Sequence, residues 1–281
     1  MRGRIARLAL PLPLAAFLAG CAPALREPPP LPEIGSPRDP AVRTDPPEGV
    51  DGFLAQAASA FAERDTASVR RASDLWLRAA AADPARTEGL LGAAQANVWL
   101  SDHEPAPAAR REAAERAVYA AQWCGRIAPA DPACAYWLGA GLGVAARERP
   151  STGLSALPKI EEAFLRASRE APDLDDAGPF RALALLYLRA PGWPTGPGDP
   201  DRGLEMARQA VSRRPDYPPN QLALAEALAK TDAPSEAIEA CRRAAALLAS
   251  PPEGSAAPPP AETTEWRRES EACLARLAGR S

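Results

Sequence analysis

The residue types that carry most enzyme chemistry are few in this chain and poorly placed for it. His103 is the single histidine, in Ser101-Asp102-His103-Glu104-Pro105. It has no histidine partner for a metal and no candidate nucleophile nearby in sequence, so it reads as an exposed loop residue. No nucleophile-elbow pentapeptide, P-loop or dinucleotide fingerprint occurs. Gly139-x-Gly141-x-Gly143 is glycine-rich but follows Tyr136-Trp137-Leu138 in a helical stretch rather than a strand, which points to close helix packing. The carboxylate pairs Glu161–Glu162 and Asp175–Asp176 fall beside helix ends, where capping or solvation is their ordinary use. No catalytic residue, metal ligand or cofactor site is therefore assigned, and the chain reads as a binding protein, not an enzyme. Cysteine is the one reactive type present in number, as Cys21, Cys124, Cys134, Cys241 and Cys273.

Cys21 differs from the rest in what precedes it. Arg2, Arg4 and Arg7 lead into an apolar run from Leu8 to Gly20, interrupted by Pro11 and Pro13. That run is too short for a stable membrane span and has the form of a secretory signal. It ends in Leu18-Ala19-Gly20-Cys21, which resembles the bacterial lipobox. The resemblance implies a signal peptide over residues 1–20, cleavage before Cys21, and acylation of its sulfur and new amine with fatty chains such as palmitate. Two or more chains anchor a protein stably where one does not. Ala22 follows in place of aspartate, which by the same resemblance implies delivery to the outer membrane, facing the periplasm.

Residues 21–50 then read as a tether. Nine prolines lie between Ala22 and Val50, with almost no apolar periodicity, and such a segment tends to extended polyproline conformation. At about 3.1 Å per residue it spans up to roughly 90 Å.

The composition behind the tether suits helices. Alanine and leucine dominate and aromatics make up 5%, a bias that favours close helix packing over strands. The formal net charge of −3, with Lys159 and Lys230 the only lysines, gives no electrostatic case for a nucleic-acid partner. Pro84, Pro129, Pro172 and Pro215 recur at intervals of 45, 43 and 43 residues. Before each stands the same apolar set: Ala72, Trp76, Ala79; Ala117, Ala121, Cys124; Ile160, Phe164, Ala167; Gly203, Ala207, Ala210. A fifth set, Ala237, Cys241, Ala244, has Ala249 in the proline place. Each set lies on one helical face, and the proline stops the helix. Another apolar-periodic helix precedes each, as with Phe180, Leu183, Ala184 and Tyr187.

This pattern resembles the tetratricopeptide (TPR) family, whose second helix carries small and aromatic residues and a terminal proline at these offsets. The resemblance implies an all-α fold, a right-handed solenoid of about five helix pairs over residues 51–249. A proline-rich linker at 250–261 and a capping helix at 262–281 complete it. The family unit is about 34 residues; here units two to four are longer. The spacing puts the excess in turns at about Ser101–Arg110, Arg147–Leu157 and Ala190–Asp201. The stretch Leu186–Leu224, with Ala-Pro-Gly-Trp-Pro at 190–194, is also similar to TPR lipoproteins related to the T-component of TRAP transporters.

In TPR superhelices the first helices line a concave groove. Aligning the units makes Trp99, Tyr136, Arg181, Leu185, Arg189, Leu222 and Glu226 its candidate residues, while Trp193 either caps the groove or plugs its own loop. The resemblance implies a membrane-anchored adaptor that binds a protein or peptide partner in envelope assembly; the alternative is a solute-binding accessory of a transporter. An open polar groove goes with the first, a closed apolar pore with the second. Four cysteines besides Cys21 allow two disulfides in three connectivities. Cys124 and Cys134 flank a short turn between antiparallel helices. Cys241 and Cys273 lie at similar heights on the last repeat helix and a terminal helix folded back on it. These positions favour the pairs 124–134 and 241–273.

Overall fold

A computed structural model describes residues 26–34, 49–251 and 259–278. The signal segment 1–20, Cys21, tether residues 22–25 and 35–48, and linker residues 252–258 lie outside the described residues.

Twelve helices account for nearly all of what is described. A four-residue helix α1 (Leu31–Ile34) precedes five antiparallel pairs: α2 (Gly49–Ala62) with α3 (Thr66–Ala82), α4 (Glu88–His103) with α5 (Pro107–Ile127), α6 (Pro132–Glu148) with α7 (Pro150–Glu170), α8 (Leu174–Arg189) with α9 (Pro200–Arg213), and α10 (Pro218–Lys230) with α11 (Pro234–Ala249). Helix α12 (Pro260–Ala278) follows. No strand occurs among the described residues; a single bridge joins Gly192 and Gly198. All members of the five apolar sets are buried, so the periodic face of each second helix is the face that builds the core.

Local chemistry explains where the helices begin. Proline stands at the first position of α5, α6, α7, α9, α10, α11 and α12, where its missing N–H would have no intrahelical partner anyway. The Asp65 carboxylate accepts from the amides of Ala67 and Ser68, and Asp131 and Asp199 cap α6 and α9 in the same way. Close approach needs small residues. A Cβ on Gly89 would stand 2.5 Å from the Trp76 carbonyl oxygen, and one on Gly141 3.1 Å from the Val118 amide. Helix packing thus uses Gly139 and Gly141, whereas Gly143 faces open space.

Three expectations need correction. Only one of the three long turns exists: α4 and α5 are separated by residues 104–106 and α6 and α7 by Arg149 alone. The extra residues lengthen α5 and α7 to 21 residues each, because Pro107 and Pro150 start helices instead of breaking them. The loop 190–199 is the real insertion.

The second correction concerns the tether. Residues 26–34 are docked on α3 and α5. Leu31 and Ile34 are buried, Trp123 Nε1 donates to the Pro29 carbonyl (2.9 Å), and Gln122 Nε2 donates to that of Arg26 (3.0 Å). A proline-rich strand has free carbonyls, and an indole N–H beside a hydrophobic step is the complement they need.

The third concerns α12, which is more than an end cap. Its second half packs on α11, with Ser270, Cys273 and Leu277 buried, but its first half reaches the early repeats.

Candidate functional site

The first helices of the pairs present rows of side chains at four-residue spacing on one side of the superhelix. Gln95, Trp99 and His103 form such a row on α4, Arg181, Leu185 and Arg189 on α8, and Leu222 and Glu226 on α10. This inner face is the candidate site.

At its centre is a polar network joining three repeats. Tyr136 Oη donates to Asp175 Oδ2 (2.6 Å), and Arg181 Nη2 donates to the same oxygen (2.8 Å). Arg181 Nη1 donates to Asn220 Oδ1 (2.9 Å), and Asn220 Nδ2 donates to the Asp176 carbonyl (3.0 Å). The start of α8 shapes this cluster: Asp175, Asp176 and Ala177 all have positive φ, and this left-handed turn brings the Asp175 carboxylate within reach of both donors. Burial, then the charge of Asp175, pushes the Tyr136 phenol well above its ordinary range. The hydroxyl therefore keeps its proton and donates it to Asp175.

The groove candidates differ in their surroundings. Tyr136 is buried and its hydroxyl belongs to the network. Arg181 is in the same network. Leu185 is half-buried on α8, and Leu222 packs against the core of the fifth pair. Arg189 makes a two-pronged contact with Glu226 across two repeats (3.0 and 2.7 Å). Burial opposes the charge on Glu226, but the hydrogen bonds from Arg189 outweigh it and hold the carboxyl below its ordinary value. Trp193 is 90% exposed on the 190–199 loop and neither caps the groove nor plugs the loop.

Helix α12 occupies this face. Glu262 meets Arg64 (2.5 Å), Glu265 meets His103 (3.1 Å), and Trp266 packs edge-on against Tyr217 with ring centroids 5.3 Å apart. Between the first half of α12, the turn 213–218 and the end of α11 remains an open cavity of about 850 Å³, whose lining joins Arg64, Gln95 and Asp176 to Tyr217, Leu248 and Trp266. The two disulfides, Cys124–Cys134 and Cys241–Cys273, have Cα atoms 5.4 and 6.0 Å apart; the second fastens α12 to α11.

His103 is therefore no exposed loop residue: it is half-buried at the end of α4, stacked on Trp99 at 3.7 Å. Nδ1 lies 2.7 Å from the Trp99 carbonyl and Nε2 3.1 Å from the Glu265 carboxylate. Both partners are acceptors, so only the imidazolium satisfies both. Burial lowers its pKa, but the bonds to Glu265 and Trp99, together with the charges of Glu265 and Asp102, raise it above 6.5 overall. Glu265 is lowered below 4.5, chiefly by the His103 bond, with Arg268 adding to it. The histidine's contribution is complete below 6.5 and disappears as pH rises through its raised value; that of the glutamate is complete above 4.5 and disappears as pH falls through its lowered value. Attachment of α12 is accordingly strongest between 4.5 and 6.5. In thermal unfolding, the margin of the native chain over His103→Gln is expected to be widest in that window and to shrink above it. A pH-independent margin contradicts this.

Among the described residues no cluster of three or more potential metal ligands occurs, and no helix is long and apolar enough to cross a membrane. Sequence reasoning missed Arg64, Gln95, His103, Asp175, Asn220 and Trp266 on this face. The only available signal was spacing, since Gln95 and His103 lie four residues either side of Trp99.

No family model and no curated protein matches the chain. Among solved structures, a thermophilic TPR protein of Thermus thermophilus aligns with a TM-score of 0.59 at 17% identity, over 81% of this chain and 100% of that one. MamA protein aligns at 0.41 and 15%, over 74% and 96%, too distantly to bear on the fold. Together with the five buried in-phase sets, the first likeness identifies the architecture: the chain folds as an all-helical superhelix of the tetratricopeptide type.

Proposed function

We propose that this chain is a scaffold of the bacterial envelope, acylated at Cys21 in the outer membrane, facing the periplasm, and docking a helical segment of a protein partner on its inner face. The observation that carries the docking half is that this face accepts a helix, α12, and keeps an open cavity of mixed polar and apolar lining beside it. Peptides are bound by such surfaces, whereas a transporter accessory that encloses a solute needs a closed apolar pocket. The cavity is open and its lining mixed, with Arg64, Gln95 and Asp176 beside Leu247, Leu248 and Trp266, which suits an amphipathic segment better than an enclosed solute.

The anchor rests on the arginine-led apolar run that ends at Cys21. With residues 26–34 docked, only the segment from Cys21 to Arg26 separates lipid from folded surface, about 17 Å when extended. That is far shorter than a free tether, and it holds the scaffold close to the membrane. Cys21→Ser is expected to abolish incorporation of labelled palmitate and to move the protein from the membrane to the soluble fraction; unchanged fractionation would refute the anchor. Chemical crosslinking in intact envelopes, followed by mass spectrometry, tests the partner: recurrent crosslinks to one protein are expected, and their absence counts against the scaffold.

A further inference from the structure

We propose that the first half of α12 is a displaceable occupant of the inner face, and that the partner it holds the place for is an acidic amphipathic helix. This rests on the inner face being the docking surface.

The two halves of α12 are attached differently. Ser270, Cys273 and Leu277 are buried, and Cys273 is covalently joined to α11. Between Pro260 and Glu269 no residue is buried. That half is held by side-chain contacts at positions 262, 265 and 266, which share one helical face. Glu262 faces Arg64, Glu265 faces His103, and Trp266 faces Tyr217. The Glu265–His103 pair is partly exposed and contributes little against water, and the open cavity of about 850 Å³ beside Glu262, Thr263 and Trp266 is space that the helix leaves unfilled. It is a poor fit over a good recognition surface.

The pattern of the occupant defines what the surface reads: acids at two positions and an aromatic ring at a third, spaced i, i+3 and i+4. The groups that read them, Arg64, His103 and Tyr217, come from the first, second and fifth pairs, so a helix must cross the superhelix to meet all of them. A partner with this pattern and bulkier side chains over the cavity makes the same ionic contacts and fills the gap that α12 leaves. The tethered α12 competes at high effective concentration, which sets a threshold that a weak ligand does not pass. Its second half stays fastened to α11 throughout, so opening the face does not require unfolding the last repeat.

The test uses the full chain and a fluorescein-labelled peptide of residues 259–272, with anisotropy as the readout. The peptide is expected to bind the double variant Glu262→Gln, Glu265→Gln roughly tenfold more tightly than the native chain, because the competing cover is weakened. A peptide with the two glutamates at 262 and 265 changed to glutamine should bind roughly tenfold more weakly. Equal affinity for the two proteins would show that α12 is not a competitor, and equal affinity of the two peptides would show that the charges do not select; either overturns the proposal. A photo-crosslinking residue at Gln95 in intact envelopes separates this from the scaffold reading. If Gln95 captures a protein while the acidic peptide fails, the acidic-helix assignment falls alone; if both fail, the scaffold falls with it.

Discussion

Asp74→Ala is expected to destabilise the fold by about 3–5 kcal/mol, because it leaves a buried guanidinium without its counter-charge. Asp74 on α3 is 1% exposed and Arg116 on α5 7% exposed, and they meet at 2.8 Å. Arg116 Nη2 also donates to the Ile34 carbonyl (3.3 Å), so the pair lies beneath the docked segment 26–34. Arg116 Nε is buried without a hydrogen-bond partner, so the guanidinium already leans on the Asp74 carboxylate and the Ile34 carbonyl alone. Replacing both charges with apolar groups of similar size, Asp74→Leu with Arg116→Met, should recover most of the loss, since two desolvated charges are removed together. Guanidinium unfolding of the single and double variants checks this. If Asp74→Ala is within about 1 kcal/mol of the native chain, water reaches the pair and its burial is overstated.

The second large effect lies at the other end. Cys241→Ser with Cys273→Ser is expected to cost about 3–4 kcal/mol, from the chain entropy that a cross-link between residues 32 apart removes from the unfolded state. The same change at Cys124 and Cys134, only 10 apart, should cost less, nearer 2–3 kcal/mol in that model. The two losses should also differ in kind. Without the Cys241–Cys273 bond, the second half of α12 keeps only positions 270, 273 and 277 as buried contacts with its neighbours. Amide exchange should then accelerate along the whole of α12 and leave the core of α4 to α7 protected. Uniform acceleration throughout the chain would show that the staple stabilises the fold as a single unit.

How much of this was legible in the sequence depended on whether it was written locally. The five in-phase sets were, because Ala72–Trp76–Ala79 and its counterparts repeat a face that a second helix must bury, and all of them are core. Proline carries two opposite local meanings, and that is where the reading went astray. Pro129 and Pro172 stop a helix, whereas Pro107 and Pro150 start one, so two expected turns became longer helices. The inner face was legible only in part. Arg181, Arg189 and Glu226 stand on it in the rows that repeat alignment gives, while Tyr136 is buried and meets it through its hydroxyl, on Asp175. Contacts such as Glu265 with His103, 162 residues apart, leave no periodic trace; they depend on where the linker returns the chain. The docking of residues 26–34 was hidden for a similar reason. Leu31 and Ile34 have no apolar neighbours in sequence, and the groove that buries them is formed by α3 and α5.

The most direct test of the inner face as the docking surface is site-specific photo-crosslinking in the intact envelope, comparing Leu185 on α8 with the exposed Arg208 on α9. The prediction is a discrete protein adduct from Leu185 and none from Arg208. An adduct from Arg208 with none from Leu185 would contradict it and move the docking surface to the second helices.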